Sequence, residues 1–223
     1  MHDKRFPNES QAYRSARNEL LREEVELRAH VEKVAEQRRR LPASGKVKED
    51  YVFERMRPDS GVESVRLSEL FAPGKDSLVV YSFMYGPKAE AACPSCTSLI
   101  DGFDATAPHI LQRVNMVVVA KSPIERIVGH ARGRGWSRIP LLSSAKNSYN
   151  ADYWAEDEAE NQMPMVNVFR RRDDGVHHFW GSELLYARLD GHPRHVDLLW
   201  PLWNIYDLTP DGRGTDWYPK LSY

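Results

Sequence analysis

Apolar positions along this chain fall into three kinds of run, and each kind predicts a different element. From 11 to 40 they recur at helical spacing. Ala16, Leu20, Leu27, Val31 and Val34 make a narrow stripe on a segment without Gly or Pro. Ser10 is placed to cap its start and Leu41-Pro42 to end it. Glu and Arg fill the other faces, with Glu24–Arg28 at favourable and Glu32–Glu36 at unfavourable spacing. Alternation takes over in Tyr51–Met56 and Val62–Leu67, around the turn Pro58-Asp59-Ser60-Gly61, which predicts a hairpin over 51–67. Ser68–Phe71 reads as a helical turn. Continuous apolar runs follow at Leu78–Tyr85 (LVVYSFMY), Val114–Ala120 (VNMVVVA) and, shorter, Ile139–Leu142, the pattern of strands buried on both faces.

Between these runs lie two helical stretches. Thr97–Leu111 carries Leu99, Ile100, Phe103, Ile110 and Leu111, with a kink or break expected at Gly102 or Pro108. The second starts at Pro123 and runs through Ala131, with Ile124, Ile127 and Val128 on one face and Gly133 and Gly135 to stop it. Strand, helix, strand, helix, strand predicts βαβ units on a parallel sheet. Met165–Arg171 and Val176–Trp180, around Asp173-Asp174-Gly175, predict a second hairpin. The end of the chain, 200–218 (WPLWNIYDLTPDGRGTDWY), is aromatic-rich, and its pattern assigns no elements. We therefore divide the chain into an N-terminal helical arm with linker (1–50) and one domain (51–223). With balanced charges the helix reads either as a solvated one lying on the domain or as a dimer contact; its stripe is too narrow to anchor fully on one domain and suits a partner helix, so a homodimer is expected.

Composition narrows the class without naming it. With 31 basic and 32 acidic side chains and a net charge of −1, nothing points to a nucleic-acid or membrane partner. No secretory leader or membrane-length run is present, so a reducing cytoplasm is the expected compartment. The chain has 2 cysteines, and both fall in Cys93-Pro94-Ser95-Cys96, just after the Leu78–Tyr85 run and its Gly86-Pro87 loop. In a reducing compartment such a pair works rather than staples. A dithiol at a helix start does exchange chemistry, because free N–H groups and partial positive charge favour thiolate there. Pro94 suits the first turn, where its missing N–H costs nothing. Zinc would need two more ligands, yet the 8 histidines contain no H-x₃₋₅-H pair; His177 and His178 are adjacent. The acidic run Asp152, Glu156, Asp157, Glu158, Glu160 reads as a solvated face before a cation site. No metal or bound cofactor is expected.

Several blocks together carry a resemblance: RRRLP at 38–42, CPSCTSLIDGFDATAPHIL at 93–111, VVVAKSP at 117–123, RGWSRIPLLSS at 134–144 and YDLTPDGRG at 206–214. The chain resembles the thioredoxin-like superfamily. More closely, it resembles a bacterial family of predicted dithiol–disulfide oxidoreductases carried as a domain of unknown function. The resemblance implies an α/β thioredoxin-like three-layer sandwich with a mixed sheet, a long N-terminal helix and an aromatic-rich C-terminal extension. It also implies a cis Met163–Pro164 bond facing the dithiol, with the backbone groups of Met163 left free to pair with an extended thiol substrate. Ala92 and Pro94-Ser95 stand where thioredoxin has Trp and Gly-Pro. Glu90 stands where peroxiredoxins place a Thr, although the long span from Cys96 to Pro164 resembles their larger branch.

The expected function is thus thiol–disulfide exchange, with Cys93 as nucleophile and Cys96 as resolving thiol, and with Pro94, Ser95, Met163 and Pro164 shaping the substrate groove. The partner is a disulfide-containing protein or a small thiol. The alternatives are a peroxiredoxin-like peroxidase on the same pair, or a non-catalytic dimeric interaction protein that keeps the fold. Trp136 and the C-terminal aromatics are assigned to core packing before groove walls. His109 is given no acid–base role.

Overall fold

Seven strands, β1 (Val52–Arg57), β2 (Gly61–Arg66), β3 (Ser77–Ser82), β4 (Asn115–Ala120), β5 (Leu141–Ser143), β6 (Val166–Arg172) and β7 (Gly175–Gly181), form one mixed sheet. They are seen in a computed structural model that describes residues 3–42 and 44–223. Their order across the sheet is β2-β1-β5-β4-β3-β6-β7. β3, β4 and β5 run parallel, joined by α2 (Pro94–Ile110) and α3 (Ile124–Arg134), the expected βαβ crossovers. β6 pairs antiparallel with β3, from Ser77↔Arg170 to Tyr81↔Val166, and β7 closes the second hairpin. The first hairpin joins the other side of the sheet antiparallel to β5, through Glu54↔Ser143. This is a thioredoxin-like α/β arrangement extended at one edge by β1 and β2.

The strand period sorts side chains to two cores. In β3, Tyr81 faces α2 and α3, packing with Leu99, Ile100, Phe103, Ile124 and Ile127. Leu78 and Val80 face the opposite side with Tyr51, Phe53, Leu67, Val117, Val119 and Phe169. That second face is covered by short pieces, the turn Leu67–Leu70 and α4 (Tyr149–Asp152), filled out by rings. Tyr149 meets Tyr51 edge-on at 5.7 Å and Phe53 at 5.3 Å. Two layers around one sheet make the three-layer sandwich.

Two boundaries differ from the apolar pattern. β3 stops at Ser82 rather than Tyr85: Phe83 N–H makes the last ladder bond, to Val119 O at 2.8 Å, and Tyr85 N–H then folds back onto Phe83 O at 2.7 Å. α2 runs unbroken past Gly102 and Pro108. A helical Gly costs about 1 kcal/mol and an interior Pro about 3. Burial of Leu99, Ile100 and Phe103, at about 1.5–3 kcal/mol each, outweighs both. Asp104 adds a tie: its buried Oδ1 accepts from the N–H of Ser137, Arg138 and Ile139 at 3.0, 2.7 and 2.9 Å, leading the chain into β5.

The chain divides into two compact units, Met1–Ala43 and Ser44–Tyr223. The first is α1 (Gln11–Arg39), capped as expected by Ser10, whose Oγ accepts from Tyr13 N–H at 3.1 Å. Leu20 and Leu27 of its stripe are exposed. Lys46, in the expected linker, pairs with His177 of β7. Single turns at Glu183–Tyr186 and Asp197–Leu199 follow β7, and the stretch 200–218, unassigned by pattern, holds a short α5 (Pro201–Tyr206).

Candidate active site

Beyond the C-terminal end of β3 the chain makes a loop and enters α2 at Cys93, the N-cap, with Pro94 in the first turn. Arg126 of α3 holds that loop. Its guanidinium donates to the carbonyls of Gly86 and Pro87 at 3.3 and 3.2 Å and also to those of Ala89 and Glu90, while lying 4.5 Å from the ring centroid of Tyr85. Ser122 adds a bond from Oγ to Gly86 O at 3.1 Å. Cys93 N–H then donates to Met84 O at 3.1 Å, which seats the N-cap against the strand end.

Both cysteines are free thiols, Cys93 half-buried and Cys96 buried. Their environments push them apart. Cys93 is lowered to about 6, first by the hydrogen bond from Cys96, against the cost of burial, and then by the N–H groups of Cys96 and Ser95 and by the Tyr218 hydroxyl. Cys96 is pushed well up, first by burial and then by the neighbouring Cys93, with the Tyr81 hydroxyl and Met84 N–H donating to its sulfur in the opposite sense. One thiol is ionised near neutral pH and its partner holds the proton, an arrangement suited to nucleophilic attack followed by resolution.

Over the pair lies a cavity of about 450 Å³. Tyr81, Met84, Cys93, Ser95, Cys96 and Pro164 line it from the domain body. The C-terminal segment supplies the rest, including His195, Trp200, Trp203, Arg213, Trp217 and Tyr218. A second hollow of about 530 Å³ shares Met84 and Cys93 and is bordered by the ion pairs Lys88–Glu160 and Lys121–Glu156. The acidic run expected as a solvated face supplies these two carboxylates; Asp152 accepts instead from Lys48, Tyr51 and Ser148.

Of the residues singled out from sequence, Cys93, Ser95, Cys96 and Pro164 meet at one cavity; Pro94 and Met163 do not line it. The expectation of a cis bond before Pro164 is corrected. Among the described residues no peptide is cis, and Met163–Pro164 is trans. The loop closes without the isomer that costs more. Met163 N–H bonds Ala155 O at 2.8 Å, and Met165 N–H bonds Met163 O at 3.1 Å in an i→i+2 turn about Pro164. Pro164 O accepts from His195 Nε2 at 2.8 Å. Sequence reasoning missed Tyr81, Arg126, His195 and Tyr218. The aromatic richness of 200–218 was the available signal for Tyr218, and it was read mainly as packing. Trp136 does pack in the core, and its Nε1 donates to Asp101 at 2.7 Å.

The family model described as "Bacterial protein of unknown function (DUF899)" matches residues 3–223. The chain belongs to this family. No curated protein matches this DUF899 chain. Solved structures similar to it include peroxidoxin BcpB from Mycobacterium tuberculosis, at 20% identity over 71% of this chain and 94% of that one, with a TM-score of 0.45. The mitochondrial 2-Cys peroxiredoxin from Plasmodium falciparum is 12% identical over 75% and 95%, at 0.49. A variant of peroxiredoxin Q from Xanthomonas campestris is 13% identical over 74% and 98%, at 0.48. No helix among the described residues is long and apolar enough to cross a membrane.

Proposed function

We propose that this DUF899 protein is a thiol–disulfide oxidoreductase. The observation that carries the reading is the split pair at the start of α2: a half-buried Cys93 lowered to about 6 beside a buried Cys96 pushed up. Cys93 thiolate attacks one sulfur of a substrate disulfide, forming a mixed disulfide and expelling the other half as a thiolate. Burial still holds the Cys96 thiol up, but the Cys93 charge that also raised it is now gone. Its proton passes to the departing thiolate. The Cys96 thiolate, met by the Tyr81 hydroxyl and Met84 N–H, attacks Cys93 Sγ and expels the second half. The products are a Cys93–Cys96 disulfide, one substrate thiol carrying the Cys96 proton and one substrate thiolate that takes its proton from water; an external dithiol returns the pair to the reduced form. No bound cofactor enters, since both electrons are held on sulfur. A reducing cytoplasm and a homodimer through α1 go with this reading.

The test is trapping. Cys96→Ser should accumulate a mixed disulfide on Cys93 and fail to release it, whereas Cys93→Ser should not exchange at all. Capture by the Cys93→Ser variant instead would reverse the roles. Slow and equal alkylation of both wild-type thiols by iodoacetamide would leave only the non-catalytic reading. The peroxidase alternative uses the same Cys93 thiolate against a hydroperoxide, and peroxide consumption without disulfide exchange would favour it.

A further inference from the structure

We propose that the cavity over the dithiol admits a small, uncharged, aromatic disulfide and not an extended polypeptide. The inference rests on the disulfide-exchange reading above and names its substrate class.

The first argument concerns the backbone beside Pro164. An extended protein substrate would lie along this loop and pair with its free N–H and C=O groups, as an added strand does. Each of those groups already has a partner, and no N–H is left free. Met163 N–H is held by Ala155 O, Met163 O by Met165 N–H, and Pro164 O by the His195 ring. Pro164 has no N–H to offer. The carbonyls of a polypeptide laid here would find no N–H partner in this half-buried groove, at about 1–3 kcal/mol for each.

The second argument concerns the walls. Trp200, Trp203, Trp217 and Tyr218 cover the dithiol from the C-terminal segment, with Tyr81 and Met84 on the domain side. The rings are fixed by edge-on contacts, Trp203 to Trp200 at 5.4 Å and to Trp217 at 5.8 Å. At about 450 Å³ the space suits a compact organic molecule, and such pockets generally run from about 300 to 1,000 Å³. Aromatic walls favour a flat ring through stacked or edge-on contact.

The third argument concerns charge. Arg194 and Arg213 both border the cavity, but each bonds both Asp197 and Asp207. Two cations and two anions close a neutral quartet, and Arg213 also lies over Trp203 at 5.5 Å. The unbalanced charge left is the Cys93 thiolate itself, which repels an anionic substrate, and neither arginine is free to draw one in. The two wall residues Trp200 and His195 each keep one polar atom without a protein partner, Nε1 and Nδ1, but both atoms are buried and add no charge to the cavity.

The test uses the full-length reduced protein in single turnovers, so no recycling reductant is needed. Three disulfides are compared: 4,4′-dithiodipyridine, bis(2-hydroxyethyl) disulfide and oxidised insulin. Each rate constant is divided by that of free dithiothreitol with the same disulfide, which removes differences in intrinsic reactivity. One turnover oxidises Cys93 and Cys96 to their disulfide and releases two thiopyridine molecules. We expect the normalised value for the pyridyl compound to exceed both others by at least about tenfold and to saturate. In Trp203→Ala the pyridyl-to-hydroxyethyl ratio should fall by about tenfold, and a ratio is insensitive to a general loss of folded protein. Exchange with all three at similar normalised rates, or fastest with insulin, would overturn the substrate class and leave the exchange reading intact. Exchange with none of them would overturn both.

Discussion

Removing the Cys96 sulfur should raise the pKa of Cys93 and leave it able to attack. The hydrogen bond from Cys96 is the largest influence holding Cys93 at about 6. Hydrogen bonds to charged groups contribute about 1.5–3 kcal/mol, and a thiol is a weak donor, so the low end applies. At about 1.4 kcal/mol per pKa unit, Cys96→Ala should move the Cys93 midpoint up by about one unit. The remaining donors, the N–H groups of Cys96 and Ser95 and the Tyr218 hydroxyl, keep it below a free thiol. Cys96→Ser restores an O–H donor and should return the midpoint towards wild type. The assay is the pH dependence of iodoacetamide alkylation at Cys93, read as a midpoint rather than a rate at one pH. A rate at one pH misleads because nucleophilicity itself rises with thiol pKa, with a Brønsted slope of about 0.4–0.5. An unchanged or lowered midpoint in Cys96→Ala would refute the claim that the neighbouring thiol, rather than the helix start, dominates the ionisation of Cys93.

The same ionisation links to stability. The folded pKa of Cys93 lies below that of a free thiol, near 8.5, so its contribution is fully present above about 8.5 and is lost as pH falls through about 6. Urea unfolding of the reduced protein should show this slope, and Cys93→Ser should flatten it between those values. Arg126→Ala should destabilise the fold by about 2 kcal/mol, because four carbonyls of the loop before Cys93 each lose a bond from its guanidinium, with Gly86 O alone keeping Ser122 Oγ and Ala89 N–H. Arg126→Lys should recover less than half of that in the same melt, since an ammonium cannot fork across the loop. Wild-type protein should sediment as a dimer, and Leu20→Glu with Leu27→Glu as a monomer; a monomeric wild type would end the expected role of the α1 stripe.

The position of the dithiol was legible locally because its signals are local. A two-residue spacing between the only cysteines, behind a continuous apolar run, places a thiol at a helix start whatever the rest of the chain does. The parallel strands and both hairpins were legible for the same reason: β-branched runs and turn residues act within a few positions of one another. Where two local signals conflicted, tertiary packing decided. Gly102 and Pro108 argued for a break in α2, and the buried face of Leu99, Ile100 and Phe103 overrode them. The bond before Pro164 could not be read from sequence, because either isomer is within about 1 kcal/mol and the surrounding hydrogen bonds select. The walls of the candidate site were hidden for a further reason. Tyr218 lies more than a hundred positions from Cys93, and His195 about thirty from the carbonyl it occupies. No periodicity links such residues; only the path of the folded chain brings the aromatic C-terminal segment over the dithiol.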